Sequence, residues 1–308
     1  MALMPDNPAQ VIGLVATFRR NQELQRLFQA LAAQTVSPSG LVIADNAADP
    51  ACQDLVAHAP FPAHYLTLPD NPGCGAGLRA AEETALTYFP QATHWWILDD
   101  DALPPPNALE RLLQALHQSG AAMTVPLLTD HLGHLWAFPE PAHPAFRKII
   151  RQESDPETLC RRIGPGPHPA CWATGACQLV QIQAAREVGL HRTDFWMLGE
   201  DLDFSMRLAV GPGLCFITDL VVPHLPPQPP SNDPTAPVHA RRKFRALLQN
   251  LTYLALRCPA QSAHLFRYLP GNYRRYFRTY GYSFRSAREV ATCFWKGAIC
   301  GQPAGSKP

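Results

Sequence analysis

Four apolar runs in the first hundred residues each give way to polar residues, helical periodicity fills the gaps, and the last run stops on three consecutive aspartates. Val11-Ile12-Gly13-Leu14-Val15-Ala16 leads to Thr17-Phe18-Arg19-Arg20, and Leu41-Val42-Ile43-Ala44 leads to Asp45-Asn46. His64–Leu68 leads to Asn71, and Trp95-Trp96-Ile97-Leu98 runs into Asp99-Asp100-Asp101. Behind a capping Asn21, Leu24, Leu27, Phe28 and Leu31 recur at helical spacing, and a second helix is expected from about Leu78 to Tyr88. Leu109, Leu112, Leu113 and Leu116 mark a third helix, and Ala122–Val125 a further strand. Strand alternating with helix in this way predicts an α/β fold with a doubly wound, mostly parallel sheet.

Ligands of such sheets bind beyond the carboxyl ends of the strands, where Thr17, Arg19, Asp45, Asn71 and the aspartates gather. Adjacent carboxylates at one strand end repel unless a hard divalent cation neutralises them. The cation in turn calls for a polyanionic partner such as a diphosphate. A solvated acidic turn is the plainer alternative, and the position directly after an apolar strand disfavours it. Asp45 can accept from a base N–H, and Thr17 and Arg19 can reach the base or phosphates, so the set reads as a nucleotide crevice. Asn71-Pro72-Gly73-Cys74-Gly75-Ala76-Gly77 places glycines at alternate positions ahead of a helix N-terminus, which suits close approach of an anion. It has neither the dinucleotide spacing nor the Gly-Lys-Ser/Thr of a phosphate loop.

The second half is less regular. Residues 139–170, rich in Pro, His and Arg, read as a long loop, and Trp172–Val180 as one strand with a small-residue bend. Gly199-Glu200-Asp201 opens a helix through Leu208, and Phe216–Val222 is a strand leading to Pro223-His224 and a proline-rich loop. Glu200, Asp201 and Asp203 suit helix capping as well as acid–base work. Asp201 at a helix start is favoured in the ionised form that a base requires, and Glu200 can hydrogen-bond an acceptor hydroxyl. Trp196 is the better-placed aromatic for stacking on an acceptor sugar, whereas Trp95 and Trp96 read as core.

At this point the order of motifs resembles the family-two inverting glycosyltransferases of GT-A fold, in particular bacterial galactofuranosyl- and rhamnosyltransferases. The resemblance covers about residues 10–225, carried by Val-Ala-Thr-Phe-Arg-Arg, Ile-Ala-Asp-Asn, Asn-Pro-Gly-Cys-Gly-Ala-Gly, Trp-Trp-Ile-Leu-Asp-Asp-Asp and Gly-Glu-Asp. It implies that Thr17, Arg19, Asp45, Asn71, Gly75, Asp99 and Asp100 serve the nucleotide donor. It also implies that Asp99 and Asp101, as an Asp-x-Asp pair, hold Mn2+ or Mg2+ with His224. Asp201 would be the catalytic base, with Glu200 and Trp196 toward the acceptor. The sequence departs from the pattern at Arg79, where many relatives have Asn. The implied activity is transfer of a sugar, galactofuranose or rhamnose, from a nucleotide diphosphate to a cell-surface glycan or lipid-linked acceptor. A sugar-nucleotide nucleotidyltransferase would want a basic glycine-rich loop after the first strand, which Val15–Arg20 lacks; a non-catalytic glycan-binding scaffold would leave the aspartates dispensable.

The net charge of +1 conceals an asymmetry: residues 239–308 hold 13 Lys+Arg against one acid, Glu289, whereas residues 1–238 hold 13 against 24. The sequence thus divides into a body, 1–238, with a nucleotide half to about 126 and an acceptor half from 127, and a basic, aromatic, helical C-terminal region, 239–308. That composition suits the interface of an anionic bilayer, solvated helices on the acidic body, or nucleic acid, for which no motif is present. Nine scattered cysteines without a Cys-x-x-Cys pair, no apolar run of bilayer length and no signal-like start lead one to expect a cytoplasmic protein. The basic region could place it on the inner face of the membrane.

Overall fold

The computed structural model describes residues 9–136, 139–226, 236–257 and 259–299. Strands β1 (Val11–Thr17), β2 (Gly40–Asp45), β3 (Ala63–Thr67) and β4 (His94–Leu98) form a parallel set in the order β3-β2-β1-β4. Their connections are helices α1 (Asn21–Ala32), α2 (Pro50–Ala57) and α3 (Cys74–Tyr88), and α4 (Ala108–Ser119) leads into β5 (Met123–Thr129). Alternate residues of β4 serve opposite faces, as the pleat dictates. Trp96 and Leu98 pack with Leu24, Leu27, Leu109 and Leu112 of α1 and α4, whereas Trp95 and Ile97 pack with Leu78, Ala81 and Ala85 of α3. Two apolar layers on one sheet are what the near-continuous hydrophobic strands require.

The chain then forms β6 (Glu140–Pro141), α5 (Pro144–Ile150), α6 (Pro156–Ile163), β7 (Pro167–Trp172), β8 (Cys177–Gln181), α7 (Ile182–Val188), α8 (Glu200–Val210) and β9 (Leu214–Pro223). The sheet continues β4-β8-β5-β9-β7-β6, and of its nine strands β7 and β8 run against the direction shared by the rest.

Three expectations are corrected here. Residues 139–170 are not one loop: Asp155 caps α6 by accepting from Thr158 N–H, and prolines at the starts of α5 and α6 fit the helical first turn. Trp172–Val180 is two strands in different parts of the sheet, β7 beside β9 and β8 between β4 and β5. The helix expected from about Leu78 starts earlier, at Cys74, so Gly75 and Gly77 lie in its first turn.

The C-terminal region is helical: α9 (Ala236–Arg257), α10 (Pro259–Tyr280) and α11 (Phe284–Phe294), ending in a π-helical turn, Trp295–Ile299. Leu251, Leu254 and Ala255 of α9 and Leu265 and Leu269 of α10 share a core with Trp172, Phe195 and Met206. Glu289 accepts from Arg241 at 2.7 Å and from the Tyr276 hydroxyl at 2.6 Å, so the region's one acid sits among its own helices. The proline-rich loop expected after His224 falls largely on 227–235, outside the described residues. No described helix is long and apolar enough to cross a membrane.

Candidate active site

The first three strand ends line up in one row, with Thr17 in register with Asp45 and Asp45 with Thr67. The buried Asp45 carboxylate accepts from Ala47 N–H at 2.8 Å, Asp49 N–H at 2.7 Å and the Tyr65 hydroxyl at 2.8 Å. It is therefore held rigidly at the end of β2. Arg19 is exposed beside this row in a left-handed backbone conformation, φ 55°, with its guanidinium over the Phe18 ring. Asn71 also takes a left-handed conformation, φ 47°, in the turn leading to α3.

Beyond β4 the three aspartates separate. Asp99 and Asp101 converge with His224, one ligand atom from each lying within 4.8 Å of the others. His224 Nε2 is 3.1 Å from Asp99 and 2.8 Å from Asp101. The backbone enforces this convergence: His224 N–H donates to Thr129 O, Leu225 N–H to Asp101 O, and Leu103 N–H to Pro223 O. The histidine after β9 is thus stitched both to the end of β5 and to the aspartate turn. In the absence of a cation the two carboxylates push the His224 imidazolium pKa up to about 9. One imidazole nitrogen and two carboxylates are a donor set suited to a divalent ion. Trp136, half-exposed, stacks on the His224 ring at 4.2 Å.

Asp100 departs from expectation. It is buried, accepts from the Thr17 hydroxyl at 2.6 Å and from Arg20 at 2.9 Å, and so faces the protein and not the donor. Burial raises its pKa to about 7 in spite of Arg20. The Thr17 hydroxyl is committed to the same bond. Arg20 also reaches Asp101 at 2.6 Å, so it braces two of the three aspartates from beneath.

Glu200 and Asp201 open α8 after a turn in which Leu198 and Gly199 have φ of 63° and 123°. The Asn250 side chain of α9 donates to both Met197 O and Leu198 O, pinning that strained turn. Asp201 accepts from Gly175 N–H at 2.9 Å and from Leu202 N–H at 2.8 Å. The next residue, Ala176, accepts from Asp99 N–H, so one short segment joins the two acidic groups. Burial raises the pKa of both carboxyls, that of Glu200 to about 8, with repulsion from Asp201 as the second cause and a hydrogen bond to Cys74 opposing. The Asp201 rise is opposed by backbone N–H groups, which favour its ionised form.

The glycines of the Asn71–Gly77 stretch serve packing. A Cβ on Gly75 would lie 2.6 Å from the carbonyls of Arg192 and Phe195, and one on Gly73, φ 104°, would lie 2.0 Å from the Trp196 carbonyl. Gly75 is therefore a contact between α3 and the loop before α8, not a donor-facing position. Cys74 N–H donates to the same Trp196 carbonyl. Trp196 is half-buried with its ring under the Arg242 guanidinium, 3.8 Å from the ring centre. Deeper in, Glu82 of α3 accepts from His191 N–H at 2.9 Å and bonds its Nδ1 at 2.7 Å, both side chains fully buried. Arg79 pairs with Glu83 at 2.6 Å along α3.

Sequence reasoning passed over Arg20, Trp136, Gly175, Asn250 and the Glu82–His191 pair. Arg20 stood in a quoted motif, and its pairing could have been suspected from the surplus aspartate. Nothing local in the sequence marks the others.

The sequence matches the description Glycosyl transferase family 2 over residues 14–182, which is more than half of the chain. This chain belongs to glycosyl transferase family 2. It is 28% identical over 222 residues to galactofuranosyltransferase GlfT1 of Mycolicibacterium smegmatis, covering 70% of each. The namesake in Mycobacterium tuberculosis is 28% identical over 226 residues, again with 70% of each chain covered. Among solved structures, S. aureus TarS 1-349 superposes with a TM-score of 0.59 at 13% identity, over 94% of this chain and 81% of that one. GalNAc-T7, whose structure holds UDP, GalNAc and Mn2+, gives 0.58 at 13% identity, over 96% and 59%. The shared fold is GT-A. The family 2 membership makes the chain a glycosyltransferase, and its Asp99, Asp101 and His224 cluster can hold a divalent metal.

Proposed function

We propose that this glycosyltransferase is inverting and metal-dependent, moving galactofuranose or rhamnose from a nucleotide diphosphate to a hydroxyl of a cell-surface glycan or lipid-linked acceptor. One observation carries the reading: the Asp99, Asp101 and His224 cluster and the Glu200–Asp201 pair are joined through Gly175 and Ala176. A leaving-group site and a base site therefore share one centre. The names of the family 2 relatives favour galactofuranose, and two S. aureus TarS structures are complexes with UDP and UDP-GlcNAc.

Asp45 and Arg19, with Asn71, would hold the nucleotide. Asp99, Asp101 and His224 would hold Mn2+ or Mg2+, which supplies electrophilic neutralisation of the leaving diphosphate. Asp201 takes the proton from the acceptor hydroxyl as the new bond forms. Glu200, with its pKa raised to about 8, is protonated at neutral pH and donates a hydrogen bond toward the acceptor. Two carboxyls whose surroundings differ in this way divide the acid and base roles. Trp196 lies on the same loop, as an acceptor-side aromatic.

The C-terminal region is the candidate contact with an anionic bilayer. Between α10 and α11 runs an open apolar groove lined by Tyr273, Phe277, Val290, Phe294 and Trp295. Tyr282 and Phe284 are 78% and 88% exposed at its tip. The region carries 13 Lys+Arg, and its one acid, Glu289, is paired with Arg241.

The deciding experiment is transfer from candidate nucleotide sugars to a glycan acceptor, with the product followed by NMR. The product linkage should have the anomeric configuration opposite to the donor's. Asp201→Asn should slow transfer by roughly two to four orders of magnitude. Retained configuration, or near wild-type turnover in that variant, would overturn the proposal.

A further inference from the structure

Two rings meet at the end of β5, and neighbouring residues of that strand set both of them. His224 N–H donates to Thr129 O at 2.8 Å, and Trp136 N–H donates to Leu128 O at 3.0 Å. Between Thr129 and Trp136 the chain makes a tight hairpin. Asp130 Oδ1 accepts from Leu132 N–H at 2.9 Å and from His134 N–H at 3.0 Å, Gly133 turns at φ 78°, and Leu135 bridges back to Thr129. The returning indole comes to lie flat on the His224 imidazole, with ring centres 4.2 Å and planes 13° apart. Trp136 is 48% exposed and belongs to neither apolar layer of the sheet, so core packing does not account for its place.

The imidazole needs such a brace. Rotation of a histidine ring about its bond to Cβ has only broad preferences. A metal-bound histidine is ordinarily fixed by a hydrogen bond from the ring nitrogen that does not face the ion. His224 Nε2 lies 3.1 Å from Asp99 and 2.8 Å from Asp101, whereas its buried Nδ1 has no hydrogen-bond partner among the described residues. The flat stack restricts the same rotation that such a hydrogen bond would restrict.

We propose that Trp136 is a positioning residue of the metal centre, holding the His224 ring by stacking so that Nε2 stays turned toward the ion beside Asp99 and Asp101. This rests on the metal reading above and adds to it the residue that orients the nitrogen ligand.

The test is titration of Mn2+ into the full-length chain, alone and with UDP present, followed by calorimetry. Trp136→Ala should weaken Mn2+ binding about ten- to a hundredfold, as loss of a ligand's outer support ordinarily does. Trp136→Phe keeps a flat face and should restore most of the affinity, whereas Trp136→Leu, which keeps only apolar cover, should not. In a His224→Ala background, Trp136→Ala should cost nothing further, because the ring it orients is gone. If Trp136→Ala, unchanged in thermal melting, binds Mn2+ within about twofold of wild type, the positioning role is wrong while the metal reading stands. An equal loss from Trp136→Ala with and without His224, or no rescue by Trp136→Phe, would also overturn it. If wild type takes up no Mn2+ in either series, the metal reading fails and takes this proposal with it.

Discussion

Replacing Glu82 with alanine should loosen the whole acceptor side without touching a reacting group. Glu82 and His191 are both fully buried, and two hydrogen bonds, at 2.9 and 2.7 Å, run between them. Removing the carboxyl strands the His191 backbone N–H and Nδ1 in a dry interior, where Nε2 already lacks a partner. Each orphaned group costs about 1–3 kcal/mol, and the vacated volume adds to that, giving about 3–6 kcal/mol in all. At about 2–4 °C per kcal/mol for a chain of this order of size, melting should fall by roughly 6–24 °C. Glu82→Gln fills the same space and retains one acceptor, so its loss should be about 1 kcal/mol. Because His191 begins the loop that carries Trp196 and leads to Glu200, surviving Glu82→Ala protein should show raised acceptor KM with donor affinity nearly unchanged. Thermal denaturation of the three proteins decides the matter. A Glu82→Ala chain melting within about 2 °C of wild type would refute the reasoning.

Glu200 should leave a pH signature: its pKa rises from an ordinary 4.5 to about 8 in the fold. The folded state therefore holds a proton that the unfolded chain releases, so this group's contribution is full below 4.5 and is lost as pH climbs through 8. Melting temperature should decline over that window, and Glu200→Gln should flatten the decline; parallel profiles for the two proteins would count against a buried, protonated Glu200. For the C-terminal region, joint Phe284→Ser and Trp295→Ser changes should reduce sedimentation with phosphatidylglycerol vesicles by about an order of magnitude at low salt. Undiminished sedimentation would remove the groove tip from any membrane contact. Deleting residues 239–308 is the poorer test, since it also removes Asn250 and Leu254 from beneath the acidic turn.

Much of the donor half was legible because its strands are buried on both faces and so read as unbroken apolar runs that end where polarity begins. Asp99, Asp101 and His224 converge as their positions after strands suggested, since β4, β5 and β9 share one direction. Asp100 faces away because the turn closed by Ala102 N–H on Asp99 O splays its side chains; the same turn that aims Asp99 and Asp101 at His224 sends Asp100 back to Thr17 and Arg20. The glycine run was misread for another reason. Glycine permits close approach of any group, and here the group is the Arg192–Trp196 backbone and not a ligand. Residues 139–170 concealed two short helices because proline looks like a breaker when it sits at a first turn. The contribution of α9 lies beyond local pattern: Asn250 finds its partners 52 and 53 residues away along the chain.

The central claim, a metal-held nucleotide diphosphate at the end of β4, is tested most directly by titrating UDP into wild type and Asp99→Ala, each with Mn2+ and with EDTA. Asp99 is the suitable ligand to change, because its side chain is 44% exposed whereas Asp101 is buried and braced by Arg20. Wild type should bind UDP with Mn2+ at least about tenfold more tightly than with EDTA, and Asp99→Ala should lose that difference while melting normally. Equal binding in Mn2+ and EDTA by wild type, or an undiminished Mn2+ effect in Asp99→Ala, would contradict the account.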